Sequence, residues 1–222
     1  MRRWRGRPLL GAGPARRWAA IAAAWCAVIV VALGVMFWHQ VTADGFDRLI
    51  DEPIVSWLGP HHTLLDWMEY PGTQVPAVVI SLAIAVACLR QRRLNGAVLA
   101  LAAILVATRI DDWFLKPLFD RTYLGALAYP SGHTSSVAAM VTVYALLFLL
   151  PPQQASTRAP RLAGFAVLLA LAIITVVGVI GLCWHYFTDT IGGAAVALGT
   201  VCALALALDW ASGRLSRARQ GG

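Results

Sequence analysis

Three short clusters in this sequence carry side chains capable of acid, base or nucleophilic work. The first is His185-Tyr186-Phe187-Thr188-Asp189. A separation of four residues places His185 and Asp189 on one helical face. There the carboxylate can hold one imidazole N–H and leave the other nitrogen as a neutral, oriented nucleophile. Simple helix-end pairing would give the same spacing. The second cluster, Tyr129-Pro130-Ser131-Gly132-His133-Thr134-Ser135-Ser136, leads directly into an apolar run. Pro, Gly and hydroxyl residues mark a helix start, and the free amide N–H groups of such a start form an anion site. Ser131 can donate its hydroxyl there, Gly132 can let the backbone approach an oxygen closely, and His133 can donate a proton. An ordinary helix cap with an incidental histidine is the competing account. The third cluster is Lys116-Pro117-Leu118-Phe119-Asp120-Arg121-Thr122, which holds the only lysine of the chain. Its two cations can present charge to an anion, the guanidinium gripping two phosphate oxygens at once. They can equally pair with Asp111, Asp112 or Asp120.

The elements that must position these clusters belong to a membrane. Of 222 residues, 59% are hydrophobic and only 13% charged, against roughly 25% charged in soluble domains. A bilayer core of about 30 Å needs around 20 apolar residues in helical form. Six runs approach that length: Trp18 to Trp38, Pro71 to Leu89, Leu94 to Trp113, His133 to Leu150, Leu162 to Cys183 and Asp189 to Leu208. The first is longer than the apolar part of a signal peptide. The longest connection, residues 39–70, contains scattered apolar residues and Trp57 and Trp67, consistent with short helices lying at an interface.

Positive charge is one-sided. Arg2, Arg3, Arg5, Arg7, Arg16, Arg17, Arg90, Arg92, Arg93, Arg158, Arg161, Arg214, Arg217 and Arg219 fall on one predicted side. Almost all acids fall on the other, with Arg48, Arg109, Lys116 and Arg121. Cytoplasmic loops retain Arg and Lys, so six spans with both termini cytoplasmic are expected: an all-α integral membrane bundle whose site faces the extracytoplasmic side of a plasma membrane. The expected organisation is a basic tail over 1–17, a membrane domain over 18–212 and a second basic tail over 213–222.

The net charge of +7 comes from these short basic clusters, a topology signal rather than a nucleic-acid surface. Cys26, Cys88, Cys183 and Cys202 lie in or beside apolar runs and offer no zinc or disulfide pattern. His39, His61 and His62 are expected at the interface without a catalytic role, and Asp209 at the cytoplasmic end of the last span. All three chemical clusters fall on the same predicted side, at the ends of spans three to six, which independent coincidences would not require. Two imidazoles, two cations and an amide-lined helix start meet the needs of phosphoryl transfer through a phosphohistidine. No cofactor is called for, and no carboxylate cluster suggests Mg²⁺.

These residues resemble the type 2 phosphatidic acid phosphatases, also called lipid phosphate phosphatases and related to vanadium haloperoxidases. That family carries a Lys followed by Arg-Pro, then Pro-Ser-Gly-His, then Ser-Arg followed by His and Asp. Lys116 and Arg121 resemble the first block, Pro130-Ser131-Gly132-His133 matches the second in full, and His185 with Asp189 matches the end of the third. The resemblance implies metal-independent release of phosphate from a lipid phosphate or diphosphate. It assigns His185 as nucleophile, Asp189 as its orienting partner and His133 as leaving-group acid. Lys116, Arg121, Ser131 and the Gly132 amide are assigned to the phosphoryl oxygens. Two departures stand out. Tyr123-Leu124 occupies the usual Arg-Pro position, and Gly178-Val179 stands where Ser-Arg is expected. Arg109 is expected to replace the missing guanidinium, since seven residues before Lys116 is two helical turns. The substrate class includes polyprenyl phosphates, phosphatidate and phosphatidylglycerol phosphate; an Arg- and Ala-rich, lysine-poor composition suggests a high-GC bacterium and a polyprenyl phosphate of envelope synthesis. A phosphotransferase and a non-catalytic lipid-phosphate binder or transporter are the alternatives.

Overall fold

A computed structural model describes residues 8–10, 13–150 and 158–218, side chains of 215–218 excepted. Of the expected basic tails, Arg2, Arg3, Arg5, Arg7 and Arg219 lie outside the described residues, as does the Arg217 side chain. Helix α1 (Pro14–Met36) begins on a proline in its first turn, where the missing N–H costs nothing. Helix α2 (Gly45–Leu58) is capped by Asp44, whose carboxylate accepts from the Asp47 amide. It is followed by α3 (His62–Glu69), a 3-10 turn (Tyr70–Gly72) and α4 (Gln74–Arg90). Helix α5 (Leu94–Ile110) continues through a π-helical stretch, Asp111–Leu115, into the single turn α6 (Lys116–Phe119). A short antiparallel hairpin pairs β1 (Thr122–Tyr123) with β2 (Ala126–Leu127), the one departure from an all-α chain among the described residues. Helix α7 (Gly132–Tyr144) ends in a second π stretch, and α8 (Arg158–Gly181) and α9 (Phe187–Ala218) complete the bundle.

Five helical stretches among the described residues are long and apolar enough to cross a membrane: α1, His62–Arg90, Gly132–Leu149, α8 and Phe187–Arg214. The other expected crossing corresponds to α5, whose α-helical part has 17 residues, the lower limit for a span. Apolar side chains such as Trp25, Val31, Val167 and Ile173 face outward, a pattern that suits a lipid surround and not water. The expected interfacial segment 39–70 does contain two short helices, α2 and α3. Helix α9 continues to Ala218, so the expected boundary at 213 falls inside a helix.

The core is made of small residues that let helices approach closely. α9 packs on α1, α7 and α5, with Ala97, Ala100, Ala103, Ala139, Ala197 and Ala205 at the contacts. This is the packing expected where lipid offers no hydrophobic drive and van der Waals contact must hold the helices. At one end the Asp209 carboxylate accepts from the amides of Leu9 and Leu10, and Asn95 donates to Ser212. The beginning and end of the membrane domain are therefore tied together at the end carrying the arginine-rich connections. The opposite end gathers α2, α3, the hairpin and the starts of α7 and α9.

Candidate active site

The start of α9 is built from three carboxylates. Asp189, in the first turn, accepts from the Tyr186 amide at 2.8 Å, the reciprocal half of a capping box. Asp47 accepts from the Thr188 amide at 2.9 Å and Asp51 from the Phe187 amide at 3.2 Å, both from α2. Three amides that the helix leaves without intrahelical partners are thus satisfied, and negative charge sits at the positive end of the helix dipole. Arg121 compensates that charge. Its guanidinium donates to Asp189 at 2.6 Å, Asp47 at 2.5 Å and Thr188 at 2.6 Å. It lies between the rings of Phe37 and Tyr186, 4.1 and 4.3 Å from their centroids. Burial, and then the neighbouring Asp47, push the Asp51 carboxyl up to about 7.

His185 hangs from this framework just before the helix begins. Its Nδ1 lies 2.8 Å from the Ala128 carbonyl. A carbonyl only accepts, so Nδ1 carries the hydrogen and Nε2 keeps its lone pair. Asp189 is 3.9 Å from Nδ1, too far for a hydrogen bond. Burial pushes the His185 imidazole down to about 3, helped by nearby His133 and Lys116; the ring is neutral at physiological pH, as a nucleophile must be. The His133 ring lies 6.2 Å away between centroids, and its Nε2 is 3.2 Å from Glu69.

Lys116, His133, Gly132, Asp112 and Arg109 line one end of a cavity of about 530 Å³. The Lys116 ammonium is held by Asp112 at 2.8 Å, so the ion pair read as an alternative does form, within the cavity wall. A Cβ added at Gly132 would sit 3.8 Å from that ammonium; glycine there keeps the space beside the cation open to an incoming oxygen. From this polar end the cavity runs between α4 and α5, past Ala77, Val78, Leu82, Leu101, Ile104 and Leu105. Asp112 to Leu101 is eleven residues, about 16 Å at 1.5 Å per residue.

The structure therefore brings His133, Gly132, Lys116 and Arg109 to one cavity, with His185 buried beside His133 and, like Ser131, not among the lining residues. It corrects three expectations. Arg121 is fully buried in the α9 cluster and does not reach the cavity: Asp120, in the left-handed conformation at φ 48°, ends α6 and turns the chain inward. Asp189 does not hold His185; the Ala128 carbonyl does, because His185 precedes the helix and the four-residue face rule has no helix to act on. Ser131 caps α7, accepting from the Thr134 amide at 3.4 Å, and is fully buried outside the cavity lining. Three residues escaped sequence reasoning. Asp47 and Asp51, four apart on the amphipathic α2, carried a faint signal, and Glu69 carried none. Val179 is buried, and Gly178 beside it faces α3.

Among protein families, the PAP2 superfamily matches residues 67–212, more than half of the chain. No curated protein and no solved structure matches it.

Proposed function

Because the chain belongs to the PAP2 superfamily, whose members act on phosphate esters, we propose that it releases phosphate from a membrane lipid phosphate or diphosphate, without a metal, through a phosphohistidine on His185. One observation carries the lipid part of this reading. The cavity that holds Lys116, His133 and Arg109 at one end is walled by aliphatic side chains of α4 and α5 over the rest of its length, the shape of an amphiphile with its headgroup at the chemistry.

The steps follow from the side chains. His185 Nε2 attacks phosphorus as the bond to the alkoxide breaks, and His133 gives the alkoxide its proton. The equatorial oxygens face Lys116, Arg109 and the amides at the start of α7. Water then attacks the phosphohistidine, its proton passing to His133, and the P–N bond breaks to release phosphate. Side-chain cations supply the charge stabilisation that a metal would otherwise provide.

Charge distribution supports the topology. The arginine-rich connections lie at the end tied by Asp209, and the site at the other. With α5 as a sixth crossing, both termini are cytoplasmic and the site opens on the extracytoplasmic face of a plasma membrane. The test is turnover of a panel of lipid phosphates by the purified chain with chelator present. His185→Ala is expected to abolish both phosphate release and acid-labile phosphoenzyme, and Arg109→Ala to slow turnover more than Arg109→Lys. Rapid turnover by the His185→Ala variant would overturn the assignment.

A further inference from the structure

Glu69 is a half-buried acid with an enclosed Oε2 that the mechanism above does not use. Its side chain is 12% exposed, and its Oε2 has no hydrogen-bonded partner among the described residues. The basic nitrogen beside it is His133 Nε2, 3.2 Å away. An enclosed carboxylate oxygen without donors is costly and marks a working group more often than a structural one. Two close approaches fix it there. A Cβ at Gly178 would lie 2.7 Å from the Glu69 amide, so only glycine lets α3 lean this far onto α8. A Cβ at Gly72, three residues on, would lie 3.0 Å from the His133 Cβ.

Resting on the phosphatase reading, we propose that Glu69 is a positioning residue whose carboxylate, 3.2 Å from Nε2, pairs with the protonated His133 ring, so that Nδ1–H is the proton delivered to the leaving alkoxide. The Lys116 ammonium and the neutral His185 ring face His133, Asp112 opposes the ammonium, and Asp66 lies beside Glu69 on α3. Glu69 is the counter-ion that lets an imidazolium exist beside the Lys116 ammonium. When Nδ1 gives up its proton the ring becomes neutral, with Nε2–H still facing the carboxylate.

Leaving-group dependence tests this. A long-chain monoalkyl phosphate expels a poor leaving group that needs the acid; p-nitrophenyl phosphate does not. The parent, Glu69→Gln, His133→Ala and the double variant are compared by kcat/KM, which reports the step that expels the leaving group. Glu69→Gln is expected to lose about 10- to 100-fold on the alkyl phosphate, a share of the effect of a general acid. On p-nitrophenyl phosphate it should stay within about 3-fold of the parent, which also shows that the site is folded. Added to His133→Ala it should change nothing further. Equal losses on both substrates, no loss on either, or multiplying losses in the double variant would each overturn the proposal. A parent inert on both substrates would overturn the phosphatase reading and this proposal with it; an active parent with a silent Glu69→Gln overturns this proposal alone.

Discussion

Replacing Arg121 by alanine separates a clamp on the fold from a grip on phosphate. The guanidinium makes short hydrogen bonds to Asp47 and Asp189 in a cluster with no solvent access. Removing it leaves two buried carboxylates facing each other across the start of α9. Breaking a buried ion pair by deleting one partner costs about 3–5 kcal/mol, a large part of the 5–15 kcal/mol that holds a typical protein together. For a chain of this size that corresponds to a fall in Tm of about 6–20 °C. Arg121→Lys, which keeps the charge but loses the fork, should fall between. Adding Asp47→Asn to Arg121→Ala should recover part of the loss, since one orphaned charge is gone. Thermal unfolding in detergent micelles and steady-state kinetics on a lipid phosphate provide the two readouts. KM should stay near the parent value while kcat falls, because His185 rides on this framework without Arg121 touching substrate. A Tm within about 2 °C of the parent, combined with a raised KM, would refute the argument and return Arg121 to the phosphate.

Two other substitutions probe the site. Asp112→Asn frees the Lys116 ammonium, so inhibition by inorganic phosphate or vanadate should tighten about 2- to 5-fold, the scale of an exposed ion pair; an unchanged or weakened inhibition constant would refute that role. His185 sets a pH dependence of stability. Its imidazole is at about 3 in the fold and 6.5 ordinarily, so between those values the unfolded chain holds a proton that the folded chain lacks, and stability falls as pH drops below 6.5. At pH 5 this amounts to about 2 kcal/mol. Asp51, raised to about 7, gains a proton in the fold over much the same window and works in the opposite direction. The readout is therefore the difference between parent and His185→Asn in denaturant unfolding at pH 7 and pH 5, with the variant losing less.

Five of the six expected spans are legible because a bilayer imposes a local rule: an uncharged run of the right length is a helix wherever it packs. The second cluster was legible for a related reason, since Ser131-Gly132 announces a helix start through backbone chemistry alone. What failed were inferences that assumed a helix where the chain has none. His185 lies before α9, so its distance from Asp189 is set by the loop and by Asp189's own capping bond to the Tyr186 amide. Arg121 follows a left-handed Asp120 that no spacing rule foretells. Glu69, Asp47 and Asp51 are far in sequence from the residues they touch. Their contacts are a tertiary fact, and as members of an acidic outer segment they look like solvated charges.

The missing guanidinium shapes what kind of site remains. Val179 is buried in the core and Gly178 is taken up by α3, so α8 contributes no cation to the cavity. Lys116 is already paired with Asp112, and His133 already lies against Glu69. Lys116 and His133 therefore each have a carboxylate in place, which fixes their positions in advance. The same pairing weakens ground-state attraction for a phosphate, because an incoming anion must compete with the resident carboxylates. On the proposed chemistry, stabilisation is then concentrated where charge moves in the transition state, onto the leaving oxygen and the equatorial oxygens beside Gly132, a distribution that favours turnover over tight binding.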